Sequence, residues 1–394
     1  RRTIMSQYPL AGVKVLDLSR VLAGPFAGRM LSDLGADVVK VEPPDQDVTR
    51  NWGRVFGGIS GYFHAQNAGK RNISINLKSP EGVALVRELA KQADILIENF
   101  RPGVMAKLGV SWEVLHADNP GLIMLSISGF GQSGPEAKRA AYAPIIHAET
   151  GSIKRQAEKS QGQPIEMCMS YADTNAGLHG LVGLLAALHQ RHATGIGQHI
   201  DIAMVDAMLV TDDQTHAYLE NSQVATGASE VWAAIGGDII IAGDFRHLWK
   251  SVTHVHGIKD PTPDDATLEE KIRCRRQAFQ EFLLSFTSRE TLIEALDAAN
   301  LAWGGVFDTD HFLSHSETLR HRNSIAEIDN REGGTRPTFQ SPYRFSEAKS
   351  GVYRGAARLG EHNQEILAEW LGFSSEQAQD LAAKGAIAAE SELS

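Results

Sequence analysis

Residues 13–42 read VKVLDLSRVLAGPFAGRMLSDLGADVVKVE, and the order of apolar and polar residues in this stretch indicates the fold class. The apolar, β-branched run at 13–18 predicts a strand, and after a Gly/Pro turn residues 26–34 follow a helical pattern. Residues 36–41 predict a second strand. A strand, a helix and a strand in about 30 residues form the crossover unit that joins parallel strands. The stretch therefore indicates an α/β protein.

The same alternation continues through the first half of the chain. It predicts strands at 71–77, 94–98 and 122–126 and helices at 80–92 and 104–108. Such a rhythm favours a largely parallel sheet with crossover helices. Helical patterns follow at 173–192 and 203–223. The first of these is apolar on all sides, which indicates burial at a domain or subunit contact.

The character of the sequence changes near residue 225. Residues 236–243 (GGDIIIAG) predict a strand bounded by glycines. Two amphipathic helices rich in surface charge are predicted at 267–284 and 289–299. These elements indicate a second, smaller α/β domain.

The C-terminal part is expected to return to the first domain. Gly/Pro-rich turns precede a predicted helix at 363–371 that can dock there, and residues 386–394 are expected to fray. The expected organisation is a large domain whose N-terminal part is 1–224 and whose C-terminal part is 319–394, with the small domain at 225–318.

Composition limits the class of protein. The chain has 394 residues, 42% of them hydrophobic and 22% charged, which is typical of a globular protein with more than one domain. A formal net charge of −10 argues against a nucleic-acid partner. Two cysteines without metal-type spacing predict no disulfide framework and no zinc site. No apolar run reaches about 18 residues and the start lacks a signal-peptide pattern, so we expect a cytoplasmic protein with no membrane partner.

The stretch SYADTNAG at 170–177 sets one carboxylate, Asp173, at the start of a Gly/Ala-rich helix. Backbone N–H groups and the helix dipole favour an ionised carboxylate there, so we expect Asp173 to be charged at neutral pH. Glycines such as Gly177 and Gly180 are expected to let a bulky ligand approach the backbone. Asp173 is therefore a candidate nucleophile, and the alternative is a simple helix N-cap.

Other catalytic signatures are weak or missing. The sequence GFGQSG at 129–134 matches GxGxxG, but Pro135 follows at once and Pro144 is expected to interrupt the next stretch, which argues against a helix that holds a pyrophosphate. The sequence has no Walker A motif, no GxSxG elbow and no HExxH. These absences leave little support for a dinucleotide oxidoreductase, an ATP-driven ligase or a serine hydrolase.

Seven blocks in order resemble the class III CoA transferases, the formyl-CoA and carnitine CoA-transferase (CaiB/BaiF) family. The blocks are LDLSRVLAGP at 16–25, LGADVVKVEP at 34–43, NAGKR at 67–71, ENFRPG at 98–103, SGFG at 128–131, YAD at 171–173 and GIGQHID at 195–201. They span about 200 residues with the family's spacing, and the last 170 residues match more loosely. Together they are far more specific than any one motif.

The resemblance implies a fold and a mechanism. In that family each chain is a ring threaded through its partner, so an interlocked homodimer is expected, with a Rossmann-like large domain that holds no dinucleotide. Asp173 matches the catalytic aspartate. Its carboxylate would attack an acyl-CoA thioester, form a mixed anhydride and then an aspartyl-CoA thioester, and pass CoA to an acceptor carboxylate.

The resemblance also implies residues that bind CoA, which would be a substrate and not a permanently bound cofactor. The residues expected to contact the phosphates and the adenine are Lys40, Lys70, Arg71, Arg101, Lys138 and Arg139. The residues expected to line the path of the adenine and pantetheine are Val21, Asn99, Phe100 and Met105, with Tyr142 beside them. Taken singly, a Lys or Arg is more often a solvated surface charge, and only its place in a matching block favours a role in binding.

Departures from the family pattern narrow the expected reaction. Leu22 stands where formyl-CoA transferases have a glutamine, and their glycine-rich loop is not evident near 233–237, which argues against oxalate or formyl-CoA specificity. The related α-methylacyl-CoA racemases use a histidine where this chain has Tyr142, and His147 comes five residues too late. Residues 142–151 (YAPIIHAETG) also resemble the intramolecular mesaconyl-CoA transferases.

The sequence therefore predicts a CoA transferase that acts on small organic acids, with dicarboxylates as one candidate class. Two alternatives stay open: a racemase-type isomerase and a non-catalytic protein that binds acyl-CoA.

Overall fold

A computed structural model describes residues 7–222 and 229–388 and has the α/β architecture that the sequence predicts. The strands of its main sheet are β1 (Lys14–Asp17), β2 (Asp37–Glu42), β5 (Arg71–Ser74), β6 (Ile95–Glu98), β7 (Ile123–Ser128) and β8 (His199–Ala203). They lie in the order β5-β2-β1-β6-β7-β8 and are all parallel. Between β2 and β5 the chain forms a short hairpin of β3 (Val55–Phe56) and β4 (Ile59–Ser60).

Helices connect or follow these strands in the first part of the described chain. They are α1 (Ala23–Asp33), α2 (Gly61–Asn67), α3 (Pro80–Gln92), α4 (Val104–Lys107), α5 (Trp112–Asp118), α6 (Ala143–Glu149), α7 (Ser152–Ser160), α8 (Tyr171–Thr194), α9 (Met204–Thr211) and α10 (Thr215–Leu219). A 3₁₀ turn spans Val48–Asn51.

The sheet separates two apolar cores because successive side chains of a strand point to opposite faces. Val15 of β1 packs into the core beneath α1 and α8, whereas Leu16 packs into the core beneath α3. Strand β6 repeats the pattern, with Ile95 and Ile97 on the first face and Leu96 on the second. Both faces are covered, as a parallel sheet requires.

Strand order reverses between β1 and β6. The chain runs outward from β1 to β2 and β5 on one side, then crosses back and continues through β6, β7 and β8 on the other. The loops after the carboxyl ends of β1 and β6 therefore diverge and leave a crevice between them. In open parallel sheets this position is the usual place for a ligand.

The chain divides into two compact units. The larger contains the residues up to Thr215 and from Arg320 onward, and the smaller is His216–Leu319. The expected boundary at 318/319 falls one residue from this division. The expected boundary at 224/225 lies in 223–228, outside the described residues.

The smaller unit is built on a three-stranded antiparallel sheet. Its strands are β9 (Glu230–Trp232), β10 (Ile239–Ile241) and β11 (Trp303–Gly305), with β10 in the middle. Its further helices are α11 (Phe245–His256), α12 (Leu268–Leu284), α13 (Arg289–Ala298), α14 (Thr309–His315) and α15 (Glu317–His321), the last of which runs across the unit boundary. The predicted helices at 267–284 and 289–299 match α12 and α13 closely. Phe279, Leu283 and Leu296 are fully buried in its core.

The C-terminal part completes the larger unit. It adds the hairpin β12 (Ile325–Asp329) and β13 (Thr335–Phe339), then α16 (Asn363–Leu371) and α17 (Ser375–Ala383). Ile366, Leu367 and Trp370 of α16 join the core beneath α3. Asn363 accepts the Ser74 N–H at 2.9 Å.

Several local expectations need correction. Residues 386–388 are buried, and Ile387 bridges to Ile75, so they do not fray; residues 389–394 lie outside the described part. The helical pattern predicted at 203–223 is interrupted at Asp212, between α9 and α10, and residue 223 is also outside the described part.

At two further positions the structure differs from what the sequence predicts. Pro144 does not interrupt a helix; it lies in the first turn of α6, where a missing N–H costs nothing. No strand is predicted for the block at 195–201, yet its Asp201 lies in edge strand β8 and accepts the Gln132 N–H at 3.0 Å.

No helix within 7–222 or 229–388 is both long enough and apolar enough to cross a membrane.

The glycines of α8 serve packing and not ligand approach, which corrects the sequence interpretation. A Cβ atom on Gly177 would lie 2.7 Å from the Ala23 carbonyl oxygen of α1. A Cβ on Gly180 would lie 2.8 Å from Leu125 of β7. Because these positions have no side chain, helix α8 can pack closely against α1 and β7. This packing brings Asp173 to the carboxyl edge of the sheet.

We expect Gly177→Ala to destabilise the protein relative to Gly183→Ala. Both substitutions gain about 1 kcal/mol of helix propensity. At Gly177 the new methyl group meets a backbone oxygen, and such overpacking costs about 1–3 kcal/mol. At Gly183 it meets only the Ile200 side chain, at 3.2 Å, which can move. Urea unfolding of both variants measures the difference, and equal stability would contradict the packing role of Gly177.

Candidate active site

A cavity of about 190 Å³ lies at the crevice between the loops after β1 and β6. Of the residues that the sequence predicts for the site, seven line it: Val21, Asn99, Phe100, Arg101, Arg139, Tyr142 and Asp173. Arg20 and Ser128, which were not singled out, line it as well. The topology thus brings together segments that are far apart in the sequence.

Side chains form hydrogen bonds to the backbone of three consecutive residues, 19–21, in the β1–α1 loop. The Ser19 N–H donates to Asp17 at 3.0 Å, and Lys40 donates to the Ser19 carbonyl oxygen. Asn99 accepts the Arg20 N–H at 2.7 Å and donates to the Arg20 carbonyl at 2.8 Å. The Val21 N–H donates to Asp47 at 3.1 Å.

Val21 has a backbone φ of 66°. This left-handed region is disfavoured for a β-branched residue, and an outlier of this kind costs roughly 1–3 kcal/mol. It persists only where surrounding contacts fix it, as they do here. The next residues, Leu22 and Ala23, begin helix α1.

Lys40 and Lys70 are structural, contrary to their expected role in phosphate binding. Both are 1% exposed. Lys40 bonds to the Ser19 carbonyl and lies 3.5 Å from Asp47. Lys70 donates to Asp17 at 2.7 Å and also to Pro25 and Asn67. Their ammonium groups are committed to buried protein partners and do not face the cavity.

Arg71 and Met105 also lie outside the cavity. Arg71 is buried and pairs with Asp37 at 2.6 Å, and it reaches Glu365 and Glu369 of α16. It therefore attaches the C-terminal part to the sheet. Met105 is 6% exposed and packs in the core beneath α3. Position in a matching block did not distinguish these residues from the ones that face the crevice.

Asp173 lies in the first turn of α8, as the third residue of the helix, and the N-cap residue of that helix is Ser170. The simple N-cap alternative is therefore not what the structure has. Instead, the backbone N–H groups of Ala23 and Ala143 act on the carboxylate and lower its pKa. These are the first residues of α1 and α6, so three helix starts converge on one carboxylate.

Burial opposes these N–H groups and is the larger effect, so that the pKa of Asp173 rises to about 6. The expected charge at neutral pH holds, because a carboxyl group with this pKa is mostly ionised at pH 7. The sequence argument considered only the helix terminus and so missed the upward shift. A partly desolvated carboxylate is a stronger nucleophile than a solvated one.

His147 fixes the start of α8. Its side chain is 1% exposed, and Nε2 accepts the Ala172 N–H at 3.1 Å. Burial lowers the pKa of His147, which keeps the ring neutral and able to accept this bond. A histidine engaged in this way positions Asp173 and does not face a substrate carbon.

Sequence reasoning missed an aromatic residue near Asp173 and a second one that packs on it. Tyr62 of α2 is half-buried, and its pKa is raised by burial first and then by the charges of Asp173 and Asp47. Trp52 packs edge-on against it, with 5.0 Å between ring centroids. Residues 52–62 match none of the family blocks, so no local signal identified them.

Glu98 supports the loop after β6. It is 3% exposed and accepts the Phe100 N–H at 2.8 Å. Burial raises its pKa to about 7. Asn99 and Phe100 are therefore held from both sides, by Glu98 within the loop and by Arg20 across the crevice.

Two larger cavities adjoin the first. One of about 550 Å³ shares Arg20 and Phe100 with it and adds Lys78 and Leu108. The other, of about 820 Å³, shares Lys78 and Leu108 with the second cavity and adds Arg87, Lys91 and Lys107. We call the three adjoining cavities the basic groove, because each is lined by at least two Lys or Arg side chains.

The remaining predicted cations lie near the mouth. Arg139 stacks on Phe130 at 4.7 Å and pairs with Glu136 and Glu149. Lys138 is exposed beside it and does not line the cavity. Lys78 and Lys107, which line the basic groove, were not predicted. Both are exposed; Lys78 comes a few residues after the end of β5, and Lys107 is the last residue of α4, the helix after β6.

Comparison with known proteins gives a consistent answer. The family model described as CoA-transferase family III matches residues 10–363. A relative named succinate–glutarate CoA-transferase, from Agrobacterium fabrum, is 34% identical over 388 residues, covering 92% of this chain and 95% of that protein. Another, succinyl-CoA–D-citramalate CoA-transferase from Chloroflexus aurantiacus, is 31% identical and covers 96% of this chain and 98% of that protein.

A solved structure of a CaiB/BaiF family protein from Brucella suis has the same fold. It is 33% identical, with a TM-score of 0.80, and the match covers 92% of this chain and all of that one. Together with the family model, the sequence blocks and the parallel sheet with its crevice, this likeness establishes that the chain belongs to CoA-transferase family III and is an enzyme of that class.

Proposed function

We propose that the enzyme moves CoA from an acyl-CoA to a small dicarboxylic acid, with Asp173 as the nucleophile. The observation that carries this proposal is the Asp173 carboxylate itself. It is partly buried, its pKa is raised to about 6, and it faces a cavity at the strand-order reversal with two backbone N–H groups directed at it.

The proposed reaction exchanges one activated bond for another. An Asp173 oxygen attacks the thioester carbonyl, the C–S bond breaks, and CoA leaves as the thiolate. The thiolate then attacks the aspartyl carbonyl of the anhydride and releases the donor carboxylate. The acceptor carboxylate then attacks the carbonyl of the aspartyl-CoA thioester, which expels CoA thiolate and leaves a second anhydride. The thiolate attacks the acceptor carbonyl of this anhydride and releases the new acyl-CoA and free Asp173. No phosphate bond is consumed.

The backbone N–H groups of Ala23 and Ala143 suit this cycle. When thiolate attacks the aspartyl carbonyl, negative charge develops on the Asp173 oxygen. Donors that already act on this carboxylate stabilise the charge without reorganisation. Because they belong to the backbone at helix starts, they are set by the fold and not by side-chain rotamers.

The basic groove supports the position proposed for CoA. A thioester carbon at Asp173 places the pantetheine arm along Asn99 and Phe100, and the phosphate groups then reach the wider cavities lined by Arg20, Lys78 and Lys107. Lysine and arginine are the usual partners of phosphate. We assign these three side chains in place of the buried Lys40, Lys70 and Arg71.

The names of the relatives support dicarboxylic substrates. Succinate, glutarate, succinyl-CoA and citramalate in those names are all small acids with two carboxylates or their CoA esters. A racemase is less well supported, since Tyr142 replaces the family's histidine and His147 is bonded to Ala172. A non-catalytic acyl-CoA-binding protein would retain affinity but show no exchange.

We expect succinyl-CoA or glutaryl-CoA to modify Asp173 covalently. Hydroxylamine converts an aspartyl anhydride or thioester to a hydroxamate, and peptide mass spectrometry locates the change. Asp173→Asn should give no adduct and no CoA exchange. Asp206→Asn is the matched control, because Asp206 is an exposed aspartate in the first turn of α9. An active Asp173→Asn enzyme, or an adduct elsewhere, would overturn the proposal.

The same adduct followed against pH gives a second readout. Only the ionised carboxylate attacks, and burial raises its pKa to about 6. The single-turnover rate should therefore be level above pH 7 and fall about tenfold per unit well below pH 6. A profile that stays level down to about pH 4.5 would mean that the attacking group is an ordinary, solvated carboxylate.

We expect Arg20→Ala and Lys78→Ala to raise the KM for acyl-CoA about fivefold each, with kcat changed less. An exposed cation contributes about 1 kcal/mol to binding a phosphate, and added salt should weaken the effect. Lys250→Ala is the control, since Lys250 is exposed on α11 and lines none of the three cavities. Unchanged KM values in both variants would rule out the basic groove as the CoA path.

A homodimer is also proposed. Helices α8 and α9 leave apolar side chains exposed in a single chain, among them Leu178, Val182, Leu185, Leu209 and Val210. Contiguous exposed apolar residues of this kind mark a subunit contact. Sedimentation velocity should give twice the 42.8 kDa chain mass, and Val182→Glu should shift the mass toward one chain. A monomeric wild-type protein would contradict the proposal.

A further inference from the structure

We infer that Asp47 is a positioning residue for the transfer reaction, acting through the strained backbone of Val21. The inference rests on the proposed function of Asp173. Asp47 does not line the cavity; it lies behind the β1–α1 loop and is 1% exposed. Its carboxylate accepts the Val21 N–H, and Val21 is the last residue before α1 is capped by Leu22.

Asp47 is itself rigidly held. Its Oδ1 accepts the Thr49 N–H at 3.0 Å and the Thr49 hydroxyl at 2.9 Å, and Oδ2 lies 3.5 Å from the Lys40 ammonium. Its own N–H donates to Glu42 at 3.0 Å. These contacts lower the pKa of Asp47 despite its burial, so it stays charged. A fixed, charged acceptor is suited to holding a backbone N–H in a costly conformation.

The conformation of Val21 affects Asp173 through Ala23, which lies two residues further along the chain. A φ of 66° at Val21 determines where the chain enters α1, and hence where the Ala23 N–H points. That N–H lowers the pKa of the Asp173 carboxyl group, and Ala23 and Asp173 line the same cavity. Asp47 therefore orients one of the two backbone N–H groups that act on Asp173, without lining the cavity itself.

Other groups of the loop do not replace this contact. Asp17, Lys40 and Asn99 hold Ser19 and Arg20, which precede the strained residue. Without Asp47, Val21 is free to relax to negative φ, and the start of α1 can turn with it. The loop then keeps its anchor on the β1 side and loses it on the helix side.

The test uses glycine at position 21, because glycine adopts positive φ without strain. Asp47→Ala should lower kcat roughly 10–100-fold, since it displaces a donor from developing charge, with a smaller change in KM. Adding Val21→Gly to Asp47→Ala should recover about tenfold of the loss, because glycine repopulates the native loop. Adding Val21→Ala should recover nothing, since alanine removes most of the side chain but keeps the strain.

Controls separate positioning from stability. Asp33→Asn removes another buried, paired carboxylate at the far end of α1, and its kcat should stay within about twofold of wild type. If Asp47→Ala does not fold, Asp47→Leu, which has a similar branched shape but no hydrogen-bond acceptor, takes its place in the same comparison. Equal kcat values for the two double variants, one with Val21→Gly and the other with Val21→Ala, would overturn the inference.

Hydrogen exchange provides a readout that does not need activity. Exchange of the amides at 21–24 should rise in Asp47→Ala and fall again only when Val21→Gly is added. A wild-type enzyme that transfers no CoA would overturn the proposed function, and the exchange pattern would still decide whether Asp47 fixes the loop. Unchanged exchange in Asp47→Ala would refute that fixing whatever the activity.

Discussion

Six charged side chains are buried around the carboxyl ends of β1 and β2, and the site depends on how they are paired. Asp17 pairs with Lys70, Lys40 with Asp47, and Glu42 with Arg50. Burying an ion costs several kcal/mol, so each partner is tolerated only while the other stays in place. The three pairs also bind backbone atoms. They therefore determine where the β1–α1 loop runs and where α1 begins.

The site follows from that framework by simple geometry. Helices α1, α6 and α8 begin at the same edge of the sheet, and their first residues surround one carboxylate. Burial and backbone N–H groups then act in opposite directions on Asp173, and burial prevails. The result is a carboxylate that is ionised at neutral pH and yet poorly solvated. Gly177 makes the arrangement possible by letting α8 approach α1.

Most of the fold could be predicted from the sequence, because alternating apolar runs report local structure directly. The candidate nucleophile could be predicted too, since Asp173 lies in a short block with a distinctive neighbourhood. The cations could not. Lys70 lies 53 residues from Asp17 in the sequence, and only the folded sheet shows that the two meet. A lysine in a matching block is equally compatible with a phosphate ligand and with a buried partner, so the sequence could not show that Lys70 is buried and that Lys78 lines a cavity.

The larger unit is assembled from both ends of the chain, with Asn363 and Ile387 attached to the strand and loop of β5. During synthesis on the ribosome, the residues up to Thr215 emerge long before α16 can cover the core beneath α3. The growing chain therefore carries an uncovered apolar surface until its final residues appear. Contacts so distant in sequence also slow folding. The smaller unit, which is continuous in the sequence, can therefore form before the larger unit has its full core.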